Sequence, residues 1–375
     1  MKFVLFCHSI VSDWNHGNAH FLRGICTELA ARGHEVRVLE PEDSWSAHNL
    51  IRDQGEGAIA RFHAAYPLIQ SRRYGSDLDL GEELEGADVT IVHEWTSPAL
   101  VERIGRYFSR HARGLLLFHD THHRAATAPH DIERFDLTHY DGVLAFGEVI
   151  RQHYLERGWA RRAFTWHEAA DIRMFFPRPR VSQQKDLVWV GNWGDDERSA
   201  ELREFLIDPI AELGLDARIY GVRYPEEALA ELMHRGIDHG GFLPNYRVPD
   251  AFATARMTVH VPRRPYATAL PGIPTIRVFE ALACGVPLVC SPWQDVEQLF
   301  QPGSDYLIAR DGQEMRRLIR DVLHDPTLAR SLAHHGFHTI LARHTCGHRV
   351  DELLGICREL GAASIGNAAY EGILP

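Results

Sequence analysis

The chain has 375 residues, 45% of them hydrophobic and 24% charged, enough apolar content to bury a sizeable core and to exclude a disordered or fibrous protein. Forty basic against fifty-one acidic side chains leave a net charge of −11, which disfavours non-specific binding to nucleic acid or to anionic lipid surfaces. The six cysteines form no CxxC pair, so a disulfide scaffold or cysteine-rich zinc module is excluded and they read as small buried hydrophobes.

Met1 to Cys7 is apolar but turns polar at His8, too short for a signal peptide, and reads as a buried first strand over 3–7. No apolar run approaches the ~18 residues of a membrane span, so a cytoplasmic protein without an integral membrane segment is expected. A loop over 8–17 leads to a helix over 19–31, in which Phe21, Leu22, Ile25 and Leu29 form one stripe and Gly33 supplies the C-cap. A strand over 35–39 completes a βαβ unit. Strands over 89–92, 115–118 and 143–146, each separated by room for a crossover helix, predict a parallel sheet covered on both faces.

The stretch 168–180, with Pro177 and Pro179, reads as a connector. A second α/β series follows: strands over 187–190, 217–220, 257–261 and 287–290, helices over 196–213 and 275–284, and a proline-rich loop over 262–274. The boundaries are therefore set at 1–167 for an N-terminal domain, 168–180 for the linker, 181–349 for a C-terminal domain and 350–375 for a last helix and tail.

The most informative segment runs from Pro271 to Pro287, PGIPTIRVFEALACGVP. A glycine and two prolines precede a helix, so first-turn amides at Thr275 and Ile276 are placed to face a diphosphate, where the helix dipole also attracts anions. Arg277 adds a charged donor, and Glu280, one turn on, can accept hydrogen bonds from ribose hydroxyls.

Arg277 to Pro287, followed by Gly303-Ser304-Asp305-Tyr306, resembles the donor-binding half of the GT-B glycosyltransferases, with Val190-Gly191-Asn192-Trp193-Gly194, Arg198, Ala169-Ala170-Asp171 and Phe176-Pro177 fitting a spore-maturation-protein-like branch. The resemblance implies two Rossmann-like, doubly wound α/β domains facing a central cleft, with the last helix crossing back to the N-terminal domain. It also implies transfer of a sugar from a nucleoside-diphosphate donor, a UDP sugar favoured, to a hydroxyl-bearing acceptor. Glu280 would then hold the ribose, while Thr275, Ile276, Arg277 and either Arg198 or Arg263 hold phosphates; Asn192, Gly17 and the backbone near Gly221 and Leu243 complete the donor site.

One departure stands out. Many retaining members carry a glutamate eight positions before the ribose-binding one, and here that position is Gly272, left to supply amides or space for the sugar. On the N-terminal side His119 and Asp120, at the end of a predicted strand, are the polar candidates for catalysis, with Glu94 as a base if the reaction inverts. A retaining reaction leaves the proton to the departing phosphate. Helix amides and arginines suffice to neutralise the diphosphate, so no metal is expected and no cofactor beyond the nucleotide sugar. Alternatives on the same residues are a nucleotide-sugar epimerase and a non-catalytic nucleotide-sugar-binding protein.

Overall fold

The computed structural model describes residues 1–111, 114–179 and 185–361. Nearly all of the tail expected after the last helix lies outside them. The N-terminal sheet contains β1 (Lys2–Phe6), β2 (Glu35–Pro41), β3 (Ser71–Tyr74), β4 (Val89–His93), β5 (Leu115–Asp120), β6 (Gly142–Ala145) and β7 (Ala163–Thr165). Their order is β3-β2-β1-β4-β5-β6-β7 and every pair is parallel. Side chains alternate between two cores: Phe3, Leu5, Ile91, Leu115 and Leu117 pack on one face, and Val4, Phe6, Val92, Leu116 and Phe118 on the other. Burial on both faces is why these strands read as continuous apolar runs.

The second sheet contains β8 (Lys185–Val190), β9 (Ala217–Tyr220), β10 (Asp238–His239), β11 (Ala255–His260), β12 (Leu288–Cys290) and β13 (Leu307–Ile308), ordered β10-β9-β8-β11-β12-β13 and also parallel throughout. In each sheet the order reverses direction once, between β1 and β4 and between β8 and β11. Crevices for ligands open beyond the carboxyl ends of the strands at such switch points.

One apolar core runs across both halves, joining Phe21, Ile25 and Trp166 to Ile276, Val278 and Phe279. The helix Cys346–Glu359 packs on the first helix, Ala19–Ala31. Gly24 permits that approach, since a Cβ there would lie 2.3 Å from Cys346 Sγ. Trp166 Nε1 donates to the Arg349 carbonyl at 2.8 Å and fixes the same helix to the end of the N-terminal half. All six cysteines are buried and unpaired.

Three expected elements differ from those observed. The helix expected over 196–213 is broken into a 3-10 turn, two short α segments and a π turn over Arg203–Ile207, because Pro209 has no amide to give to the carbonyl four residues back. The proline-rich loop over 262–274 contains the helix Arg264–Ala269, with Pro265 tolerated in its first turn. Strand β5 runs two residues past its expected end, to Asp120, because His119 and Asp120 pair in register with Leu144 and Ala145 of β6.

Candidate functional site

A cavity of about 310 Å³ lies between the domains where the two switch points face each other. Its walls are the loops those strand ends predict. Asn15, His16, Gly17 and Asn18 follow β1, Trp95 follows β4, Gly191 and Asn192 follow β8, and Arg263 and Tyr266 follow β11. Thr121 and His122 come from the end of β5, and Thr275, Ile276 and Arg277 from the start of the helix Ile276–Ala283.

The C-terminal wall is cationic. Thr275 is the extended N-cap of that helix, but its side chain caps no amide; Thr275 Oγ1 is instead engaged by His260 Nε2 at 2.9 Å. The helix therefore presents first-turn N–H groups and its positive dipole end to the cavity. Arg277 pairs with Glu280 one turn on, and Arg263 Nη1 lies 3.2 Å from Glu197. Arg198 differs: its guanidinium donates to the carbonyls of Val261 (3.1 Å) and Asn192, its Nε has no partner, and among the described residues no carboxylate lies within ion-pair distance. Burial, reinforced by Arg263 and Arg277, pulls its pKa down to about 10. A shielded cation satisfied only by carbonyls is costly unless an anion joins it.

Two glycines let the backbone close around this wall. A Cβ on Gly221 would lie 1.8 Å from the Gly191 carbonyl, and its φ of +159° suits glycine. Asn192 then spans the domains, accepting from the Val222 amide at 3.0 Å and donating to Asn15 Oδ1 at 2.7 Å. Gly221 and Leu243 themselves lie outside the cavity lining, Leu243 packing against the shared core.

Glu280 is fully buried beneath the wall. Asn245 Nδ2 donates to its Oε1 at 2.6 Å, and His20 Nδ1 of the N-terminal domain lies 3.1 Å from the same oxygen. His20 Nε2 accepts the Asp171 amide at 3.0 Å, which leaves the ring proton on Nδ1, facing Glu280. Burial alone would raise the Glu280 pKa, but Arg277, His20 and Asn245 together hold it at about 2. The carboxylate is thus ionised and pins the two domains together.

Gly272 does not line the cavity. Its amide donates to the Gln294 carbonyl at 2.6 Å, its φ is +93°, and a Cβ would lie 2.7 Å from Glu297 Cγ. Glu297 is itself engaged, accepting the Glu148 amide at 3.0 Å and lying 2.8 Å from His167 Nε2. The amide and space expected of this glycine are already used.

The N-terminal candidates sit deeper than the sequence suggests. His119 and Asp120 lie inside β5 and are fully buried. His119 packs against Trp166 and Phe21, with neither ring nitrogen partnered among the described residues. Asp120 accepts Tyr154 Oη at 2.8 Å and the His122 amide at 3.0 Å, so it holds the loop that carries His122. Glu94 is buried, accepts the Thr121 amide at 3.1 Å and pairs with Arg124. Burial and the nearby Asp120 raise its pKa.

Sequence reasoning missed Glu168, which it assigned to the connector. Glu168 is the one carboxylate among the described residues lining the cavity. It accepts Asn18 Nδ2 at 2.9 Å and faces the Ile276 amide. Burial pushes its pKa up to about 7, with Glu280 adding to the shift and Asn18, Arg277 and the Ile276 amide opposing it. It also missed Trp45, which lines the same cavity. Among the described residues no group of three His, Cys, Asp or Glu side chains is placed to hold a metal ion, and no helix is long and apolar enough to cross a membrane.

The buried histidines give the domain a defined response to acid. Burial holds His16, His119, His260 and His344 near pKa 3 and His122 near 2, all below their unfolded values. Between those limits the unfolded chain binds protons that the folded one refuses, so each group takes away about 1.4 kcal/mol of stability per pH unit as pH falls from 6.5. Glu94, Asp120, Glu168, Asp171 and Asp295, with raised values, act in the opposite sense, while His8 and His93, also held low by burial, add to the histidines. Denaturant unfolding at pH 5.5 is expected to show a stability lower than at pH 7 by about 2 kcal/mol; equal or higher stability at pH 5.5 would contradict the dominance of these histidines.

Residues 198–355 match the family described as glycosyl transferase-like. Among solved structures, HepE from Anabaena in complex with UDP and glucose is 16% identical with a TM-score of 0.67, over 96% of this chain and 99% of that one. Sucrose-phosphate synthase from Thermosynechococcus elongatus is 16% identical with a TM-score of 0.65, over 97% and 100%. A TarM variant from S. aureus, in complex with fondaparinux, α-GlcNAc-glycerol and UDP, is 9% identical with a TM-score of 0.64, over 95% and 99%. No curated protein matches in sequence. The two facing doubly wound sheets give the chain the GT-B fold, and its residues 198–355 match a glycosyl transferase-like family.

Proposed function

We propose that the chain is a glycosyltransferase that takes its sugar from a nucleoside-diphosphate donor, a UDP sugar first among them, and passes it to a hydroxyl group without a bound metal. The observation that carries this reading is Arg198, a shielded guanidinium without a carboxylate partner among the described residues, standing with Arg263, Arg277 and an uncapped helix N-terminus around one interdomain cavity. In this reading the first-turn amides of the helix and the three arginines neutralise the diphosphate as it leaves, the charge that grows most in the transition state. HepE, of the same fold, was solved with UDP and glucose, which supports the choice of base.

Glu280 is proposed to take the ribose when Arg277 turns from it toward the phosphates, which frees Oε2. Glu168, beside the amide proposed to hold phosphate, would accept hydroxyl hydrogens of the transferred sugar. A diphosphate arriving next to Glu168 raises its proton affinity further, so donor binding should take up a proton near pH 7. Isothermal titration of UDP in two buffers of different ionisation enthalpy is expected to show this uptake at pH 7, and Glu168→Gln to abolish it. Identical heats in the two buffers for the parent protein contradict the assignment.

A thermal-shift panel of UDP, GDP, dTDP and ADP sugars tests the donor itself. Ligand at 100 times Kd adds about 2.7 kcal/mol of stability, so the true donor should stand apart from the others. Sugar recovered on an acceptor, rather than free epimerised sugar, separates transfer from epimerisation.

A further inference from the structure

We propose that the acceptor is itself a neutral saccharide, bound on the N-terminal wall of the cavity with a ring face against Trp45 and Trp95 and its hydroxyls directed to His16, Asn18 and His122. This rests on the donor reading above, which assigns the cationic wall to the diphosphate and leaves the opposite wall to the acceptor.

The two walls differ in chemistry. The N-terminal residues lining the cavity include no Lys, Arg, Asp or Glu among those described, and burial keeps His16 and His122 uncharged. A wall with no charge gives a phosphorylated or polyanionic acceptor nothing to pair with and would strip its solvation without return. Two of the large apolar side chains left exposed in this protein stand together here, Trp45 at 38% and Trp95 at 39% exposure.

Each indole is fixed from one side. The Arg124 guanidinium lies 4.4 Å from the centre of the Trp95 ring and is held there by its contact with buried Glu94. His8 lies 4.6 Å from Trp45, and Trp14, tied by Nε1 to Asp53 at 2.6 Å, meets the same ring edge-on. Rigid aromatic surfaces offer contact area at little cost in side-chain entropy. Trp45 extends from the end of β2 and Trp95 from that of β4, with β1 between them, so their parent strands are about 10 Å apart, two strand spacings.

Polar atoms without partners distinguish a sugar from a flat aromatic acceptor. His16 Nε2, Asn18 Oδ1 and His122 Nδ1 are buried, make no hydrogen bond among the described residues and belong to residues lining this same cavity. Such groups are costly unless a ligand satisfies them. A pyranose has an apolar face of C–H groups for an indole and several hydroxyls around its rim. A phenol has the face but only one hydroxyl.

The probes are neutral methyl glycosides (gluco, galacto, manno, rhamno and N-acetylglucosamine), p-nitrophenol and heparin, each added to the full chain with and without UDP. Saturation-transfer NMR is expected to mark ring protons of at least one glycoside. Trp45→Ala and Trp95→Ala, surface truncations that open no core, are each expected to raise the glycoside Kd about three- to tenfold while leaving the UDP thermal shift unchanged. Saturation of p-nitrophenol or heparin alone, or glycoside binding indifferent to both substitutions, overturns the proposal. Loss of the UDP shift in the parent protein instead indicts the donor reading, so the two failures are told apart.

Discussion

Arg198→Ala is expected to weaken donor binding by about 10- to 100-fold, the value of losing charge-assisted hydrogen bonds of about 1.5–3 kcal/mol, without lowering stability. The two halves of this result belong together. A structural arginine is held by carboxylates, and its removal strands them. Arg198 has carbonyl partners and two arginine neighbours that repel it, so its removal relieves a desolvated charge. Calorimetry with UDP, beside denaturant unfolding of both proteins, checks the pair of outcomes. A variant that binds UDP normally but unfolds more readily would assign the residue to the fold.

Glu280→Ala is expected to do the opposite in stability and the same in binding. Its carboxylate serves Asn245, His20 and Arg277 at once, and breaking a buried pair by removing one partner costs about 3–5 kcal/mol. Because His20 lies in the N-terminal domain and Asn245 in the C-terminal one, the loss should also loosen the contact between them. Asn245 carries that strain further, since its amide donates to Asp13 Oδ2 at 2.8 Å. Glu280→Gln keeps the shape and separates the effects: it should fold more stably than the alanine variant yet still bind UDP less well than the parent. Unaltered UDP affinity in a folded Glu280→Gln would remove the ribose contact and leave only the domain pin.

Much of the fold is legible in the sequence because both faces of each sheet are buried. Such strands are runs of Val, Ile, Leu and Phe between glycines and helices, and the first helix was read to its observed ends, Ala19–Ala31. The C-terminal wall was legible for a related reason. Thr275, Ile276 and Arg277 sit at a helix start announced by Gly272 and Pro274, and backbone geometry there follows directly from residue type.

Strand ends were harder. His119 and Asp120 look like the first polar residues beyond an apolar strand, yet pairing with β6 carries the strand through them and leaves the cavity lining to Thr121 and His122. Polarity marked the segment but not the last hydrogen bond. Glu168 was hidden because a connector rich in turn residues gives no sign of which side chain the domains enclose. Trp45 was hidden because an indole in a sequence reads as core; only its exposure in the cavity distinguishes it.

A crystal of the full chain with UDP tests the central claim most directly. The diphosphate is expected at the amino end of the helix Ile276–Ala283, within hydrogen-bond reach of its first-turn amides and of the Arg198 and Arg277 guanidinium groups. A nucleotide bound elsewhere, with those groups still facing an empty cavity, would contradict the account.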